Sequence, residues 1–446
     1  MAQLFIVYCI DTEGPMYEPL EETFKRLKSI FNLNLEPTKK NLIALQNKNI
    51  DLNGIENEVA KVVNPHLLAY NDTWDKIDTM LDIIMNPKFR NKFSDSKGRG
   101  LIYNWHCMDH AGFSTNERRR DIGFGNIFKH FKEKINEYDN LDKIHWHFHP
   151  LSFNKEAHIN ATSYDNSYET LHQIIIRRII DNNWFPTANR AGFNTIRQDS
   201  SFFLEQWIPF DFSNASEYED SSLSQQDLAA GRYGDWRRSP KEWKPYNPSY
   251  EDYQSKGSMN RYSTKCLNIG TRMGLITDSE IEKAFQLSED EGKAILSFTN
   301  HDFRNMEIDI EDIYSRIFTI AEKYKSVELY NCDSVEAMQK YLYTASEIED
   351  NKLILDYELK TSNGLSKLII TAVNGNVFGT QPYLAIKTQC GRYFHDNFDE
   401  VEYGKTWSYV FDRYTMDIKI VESLKVAAND KYGNTEIIDV SLKGVS

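Results

Sequence analysis

The run Ile144-His145-Trp146-His147-Phe148-His149-Pro150 sets three histidines at alternate positions just before a proline. On a β-strand alternate side chains share a face, so all three would point the same way. Two imidazoles at i and i+2 can grip one divalent ion, and a coordination position left open makes such a site catalytic. The bland alternative is a strand of hydrogen-bonded histidines without metal, and three histidines in five residues weaken it. Zinc is the first choice of ion, with cobalt, nickel or iron as alternatives.

Asp11 and Glu13 follow the apolar run Leu4–Ile10. Taken alone they read as a polar turn. Beside the histidines, one carboxylate could complete a two-histidine, one-carboxylate site, and the other could serve as general base. His301, in Thr299-Asn300-His301-Asp302, could be a general acid. Arg190, in Asn189-Arg190-Ala191-Gly192-Phe193, could lower the pKa of a catalytic carboxylate and fix its orientation. His106, Asp109 and His110 end a second apolar run and could bind substrate or support the metal histidines. A structural role for these three is equally in play. Arg118-Arg119-Arg120 could hold a phosphate, though a charge run is more often a solvated face. Tyr233, Trp236, Trp243 and Tyr246 lie in a stretch rich in Ser, Tyr, Trp, Pro and Gly, where they could stack on sugar rings or simply pack the loop.

These residues need strands to position them. Leu4–Ile10 is continuous and apolar, the mark of a parallel strand buried on both faces. A helix is predicted over Leu20–Phe31, with Phe24, Leu27, Ile30 and Phe31 at helical spacing. Strand, polar turn and helix recur: strands at Leu101–Trp105, Ile144–His149, Phe185–Arg190, Trp207–Phe212, Ala294–Phe298 and Val327–Tyr330, and helices at Leu171–Ile180 and Ile310–Tyr324. Ionisable residues collect at the strand ends, where parallel α/β barrels build their sites. The pattern predicts a barrel-like α/β domain over residues 1–347, with insertions at 48–98 and 213–262. The first insertion includes a helix at Thr73–Met85, and the second has the length of a lid or binding loop. From about residue 348 the pattern changes to short strands: Leu353–Leu359, Leu368–Val373, Tyr383–Lys387, Trp407–Phe411, Met416–Val421 and Ile437–Leu442. Asn363-Gly364 and Asn374-Gly375 are hairpin signals. Residues 348–446 are expected to form a β-sandwich, a possible carbohydrate- or partner-binding domain.

Composition limits the partners. Of 446 residues, 40% are hydrophobic and 26% charged, enough for a packed core. The formal net charge of −14 opposes nucleic acid and anionic membrane as partners. Five scattered cysteines without Cys-x-x-Cys spacing argue against a disulfide framework and a thiolate zinc site. No apolar run reaches membrane-spanning length, and the amino-terminal run lacks a cationic segment and a cleavage site. A cytoplasmic location is expected.

In order along the chain stand Asp-x-Glu-Gly-Pro, a histidine pair followed by proline, Arg-x-Gly, Asp-x-Ser and a late histidine. That order resembles the polysaccharide deacetylase superfamily, over about residues 3–345. The closer likeness is to its lipopolysaccharide and capsule biosynthesis branch. It rests on Asp95-Ser96-Lys97-Gly98, Asp109-His110-Ala111-Gly112-Phe113, Trp146-His147-Phe148-His149-Pro150, Ile208-Pro209-Phe210-Asp211 and His301-Asp302-Phe303-Arg304. The resemblance implies a distorted (β/α) barrel that removes an acyl group from a sugar or glycan precursor with a bound metal. It implies Asp11 as base, Glu13, His147 and His149 as metal ligands, Arg190 as tuner of the base, and His301 as acid. His106, Asp109, His110, Asp211 and Trp236 are then candidates for substrate contact. The chain departs from the pattern at two points. Thr12 separates two acids that are usually adjacent aspartates, so Asp11 and Glu13 could exchange roles. The usual histidines are four apart, which would select His145 with His149. Glycosidic-bond cleavage on a related barrel, using Asp211 or Asp302, and a catalytically silent glycan-binding protein are the alternative readings.

Overall fold

The computed structural model describes residues 2–138, 141–157, 161, 163–218, 234–271, 274–362 and 364–443. Nine parallel strands form the first sheet: β1 (Ala2–Thr12), β2 (Tyr103–Cys107), β3 (Lys143–Phe148), β4 (Ala188–Ala191), β5 (Phe210–Asn214), β6 (Tyr262–Lys265), β7 (Leu267–Asn268), β8 (Lys293–His301) and β9 (Val327–Asn331). Eight run in the order β6-β5-β4-β3-β2-β1-β8-β7, and β9 pairs with the start of β1. β6 pairs with β5 while β7 pairs with β8, and only Cys266 separates β6 from β7. One short segment therefore joins the two edges of the sheet. The result is a nearly closed parallel eight-strand barrel with helices around it.

Side-chain alternation divides the barrel into an inside and an outside. From β1, Leu4, Ile6, Tyr8 and Ile10 face outward into a core shared with the helices Trp74–Ile84, Asn126–Glu137, Asp278–Glu291 and Met306–Ala321. Phe5, Val7 and Cys9 face inward, with Ala188, Phe210, Phe212 and Ile295. Ala337 and Met338, from the helix Ser334–Leu342, belong to the same inner cluster. The residue after this inward series is Asp11. The interior thus changes from apolar to ionisable toward the carboxyl ends of the strands, where a parallel barrel presents its loops.

Beyond the barrel, two antiparallel sheets form a sandwich-like domain. One is β10 (Ile354–Ser362), β11 (Leu365–Asn374), β15 (Thr406–Phe411) and β14 (Asp399–Glu402). The other is β13 (Tyr393–Asp396), β12 (Tyr383–Thr388), β16 (Val421–Asn429) and β17 (Thr435–Asp439). Leu368, Ile370, Trp407 and Tyr409 meet Leu384, Ile386, Leu424 and Val426 between the sheets. In the second sheet β12 is buried on both faces. Tyr383, Ala385 and Ala427 of this sheet pack into the cluster built by the barrel helices Tyr168–Asn182 and Gln198–Trp207.

Several local expectations need correction. Ile418–Ile420 is a 3₁₀ turn and the strand begins at Val421, so Met416–Val421 is not a strand. Ile418 and Val421 are still core residues, which is why the run reads as one. Asn374-Gly375 does not close a hairpin, because β11 and β12 lie in different sheets. Gly375 (φ +66°) instead turns the chain past Leu353, where a Cβ would lie 2.9 Å from backbone. Asn363 lies outside the described residues, and the strands on either side of it do pair antiparallel. β13 and β14 went unpredicted; both are only four residues long, and β14 is acidic and exposed. Within 213–262, Tyr233 lies outside the described residues. No described helix crosses a membrane by length and apolarity.

Candidate metal centre

The register sets the geometry. Asp11 on β1 pairs with His301 on β8 and with His106 on β2, and His106 pairs with His145 on β3. Two residues further along β3, His147 pairs with Arg190 on β4. Four strands of the run β4-β3-β2-β1-β8 therefore bring Asp11, His147, Arg190 and His301 to one end of the barrel interior.

Glu13, His147 and His149, all buried, hold one ligand atom each within 4.8 Å of one another, so this group can hold a metal ion. The Nε2 atoms of His147 and His149 lie 3.0 Å apart. Two nitrogens each about 2.0–2.1 Å from one ion stand at about that separation. Glu13 Oε1 is 3.4 Å from His149 Nε2 and 3.9 Å from His147 Nε2. His147 Nδ1 donates to the Arg190 carbonyl at 2.7 Å, which leaves the Nε2 lone pair facing the cluster. Burial first of all holds both imidazoles below their ordinary pKa, in the neutral form that binds metal.

Main-chain contacts fix these side chains. The Glu13 and Gly14 amides donate to the Asp302 carboxylate at 2.9 and 2.8 Å, and His110 Nε2 donates to the Glu13 carbonyl at 2.8 Å. The acid-bearing turn after β1 is thereby held from two sides. Gly192 lies against the His149 ring, where an added Cβ would come within 2.2 Å of Cδ2. Phe193 takes φ +53° and sets its ring 4.9 Å from that of His149, at an interplanar angle of 65°.

Asp11 adjoins the group without joining it. Its Oδ1 is 3.0 Å from Arg190 Nε and 3.5 Å from His147 Nδ1. Burial works to raise its pKa, but Arg190 leads the neighbours that oppose this, and the carboxylate stays below its ordinary range. His301 Nε2 is 3.7 Å from Asp11 Oδ2 and 3.9 Å from Glu13 Oε1. Burial lowers the His301 pKa well below the usual value, so the ring is neutral near pH 7.

The other candidates take separate places. His145 Nε2 lies 3.0 Å from Asn104 Oδ1, which also accepts from the Ser334 amide at the helix start; this ring sits deeper in the barrel. His106 is equally deep, its Nδ1 3.3 Å from the Trp146 carbonyl. His110 meets Glu13 as described, and burial lowers its pKa to about 4. Asp109 accepts from the Gly125 amide and from Arg178 at 2.6 Å, which anchors the loop after β2. Asp211 is held in the barrel wall by Asn189 Nδ2 at 2.6 Å and Ser213 Oγ at 2.7 Å. Trp236 is buried, its Nε1 donating to the Asn194 carbonyl at 2.8 Å and its ring edge-on to Tyr253.

Sequence reasoning missed the double use of Arg190, whose carbonyl orients His147 while its guanidinium faces Asp11. It also missed the Asp302 clamp and the Gly192 contact, which join residues far apart in the chain; no local pattern marks them. Compared with known proteins, the chain matches no family model, no curated protein and no solved structure.

Proposed function

We propose that this protein is a metal-dependent hydrolase that removes an N- or O-acyl group from a sugar or glycan precursor in surface-polysaccharide biosynthesis. The observation that carries the hydrolase reading is the buried Glu13–His147–His149 group at the carboxyl end of the barrel, with Asp11 and Arg190 beside it. The acyl-sugar part is supported by the motif resemblance.

A divalent ion bound there, zinc by preference, supplies Lewis-acid polarisation of an acyl carbonyl and activation of water. Asp11, kept ionised by Arg190, takes the proton of the attacking water. The neutral His301 ring, 3.7 Å from Asp11, can receive that proton, and once charged in a buried site it is a strong acid that passes it to the departing amine or alkoxide. The glycosidase alternative needs a second free carboxylate. Asp302 is engaged by two amides and Asp211 by the wall, which supports acyl rather than glycosidic cleavage.

The first test is metal content of the purified protein. One divalent ion per chain is expected, with loss of most of it in His147→Ala, His149→Ala and Glu13→Gln. Full occupancy in all three variants would sink the assignment. Incubation with an acetylated oligosaccharide should release free acetate and leave the chain length unchanged; a shortened chain would favour the glycosidase.

A further inference from the structure

The mouth of the barrel holds two cations that the hydrolysis scheme leaves unused. Arg118, Arg119 and Arg120 lie on the loop after β2 and diverge. Arg118 turns to Glu18 and Glu22, at 3.9 and 3.6 Å. Arg120 lies over the Tyr17 ring and 4.0 Å from Asp72. Arg119 turns inward, pairs with Glu13 Oε2, and sets its guanidinium 4.9 Å from the centre of the Phe303 ring. Arg304, on the loop after β8, stands 5.1 Å from the same ring centre and is more than nine-tenths buried.

Both cations are mounted on braced backbone. Met16 and Arg119 form an antiparallel bridge. Asn71 Nδ2 donates to the Arg304 and Asp302 carbonyls, at 3.1 Å each. Arg304 Nη1 reaches the Gly270 carbonyl at 3.4 Å. Among the described residues, Nη1 of Arg119 and Nε of Arg304 are buried donors without an acceptor. A guanidinium does not deprotonate, and two of them against one aromatic ring repel unless an anion lies between them. Asp302 also lies near Arg119, but its oxygens are directed at the Glu13 and Gly14 amides and leave Arg119 Nη1 and Arg304 Nε without an acceptor among the described residues. Glu13 belongs to the metal group, and a carboxylate that binds a cation no longer balances the arginine beside it.

We propose that Arg119 and Arg304 form an oxyanion subsite that takes a carboxylate or phosphate carried by the substrate, so that the molecule hydrolysed here is an anionic sugar. The proposal rests on the hydrolase reading for where the reacting group lies and for Glu13, which a bound ion would draw away from Arg119; the Arg304 side chain stands apart from it. Guanidinium forks match both oxyanions in geometry.

The test is calorimetric titration of the zinc-loaded full-length protein with glucuronate, glucose 1-phosphate and glucose. At least one anionic sugar should bind about tenfold or more tightly than glucose, and which one does so separates carboxylate from phosphate. Arg119→Gln and Arg304→Gln should each abolish the preference, and Arg304→Lys should restore part of it. Zinc content, measured on the same samples, should be unchanged in Arg304→Gln. Equal binding of all three sugars overturns the proposal, as does a preference that survives both Gln variants. A preference lost on His149→Ala but untouched by Arg304→Gln would belong to the metal and also overturns it. A preference that disappears with Arg304→Gln in a protein that never takes up zinc would uphold the subsite and sink the metal reading.

Discussion

Gly192 shows how little room the histidine pair has. Any side chain there meets the His149 ring, so Gly192→Ala should tilt the imidazole. Metal affinity should fall about 10–100-fold, the range seen when support of a ligand is lost. Competition against a metal-sensitive chelator dye would read this, and an unchanged dissociation constant would show that His149 does not hold the ion. Asp11→Asn makes the complementary case: turnover should fall about 10²–10⁴-fold while bound metal stays near the wild-type level. Loss of metal in that variant would move Asp11 into the ligand set. At this scale the sequence was informative where the signal was local. His147 and His149 show themselves by alternation before Pro150. The choice between His145 and His147 depended on Asn104, a partner on another strand. Arg119 sits in a run of three arginines that looks uniform in sequence and is divided only by the fold.

At the scale of elements, strand ends and the turns that follow them carry the site, and buried polar contacts hold the loops around it. Asp109 ties the loop after β2 to Arg178 of the helix Tyr168–Asn182, and both partners are buried. Asp109→Ala would leave the Arg178 guanidinium buried without its counter-charge. A destabilisation of about 3–5 kcal/mol is expected, read as a lower midpoint in urea unfolding. A change below about 1 kcal/mol would mean that the loop is anchored elsewhere. The elements themselves were largely legible. The helix predicted at Leu20–Phe31 is found with those bounds, and Leu4–Ile10 lies inside β1. Runs that serve two cores explain the successes, because a strand covered on both faces must be continuously apolar. β7 is two residues long and owes its existence to β8, so nothing in its own composition announces it. The stretch Met416–Val421 misleads for the opposite reason: its apolar residues are buried as a turn.

Across the whole molecule, the barrel and the sandwich-like domain share one apolar cluster and a set of buried polar groups. Asn429 Nδ2 donates to the Pro186 and Trp207 carbonyls at 2.7 and 2.8 Å, so an amide of β16 grips the barrel wall. His172 lies in the same seam, its Nδ1 2.8 Å from the Tyr383 hydroxyl and its ring stacked on His395 at 4.6 Å. Burial first, and then His395, lower the His172 pKa to about 4. The folded state then binds fewer protons than the unfolded chain once the pH drops below the ordinary histidine value. His172 therefore leaves stability intact above pH of about 6.5 and removes it progressively as pH falls toward 4, by about 3 kcal/mol in all. Thermal unfolding at pH 7, 5 and 4 should show a slope to which the other buried histidines also contribute, and His172→Gln should make it shallower. Equal slopes in the two proteins would refute the assignment. The seam was not visible in sequence, because Tyr383–Thr388 reads as one more apolar strand and its second face has no signature of its own.

The pairing of β1 has a consequence in time. Gln3 pairs with Lys293 and Ala2 with Val327, so the strand that delivers Asp11 and Glu13 leaves the ribosome long before two of its three neighbours exist. Until then it is an apolar edge open to wrong partners, and loop closure over such distances is slow. Refolding from denaturant should lose yield steeply as protein concentration rises, and recovery of metal binding should be among the last events to appear, since half of the acid–histidine cluster waits for the chain's first strand to find its place in the ring.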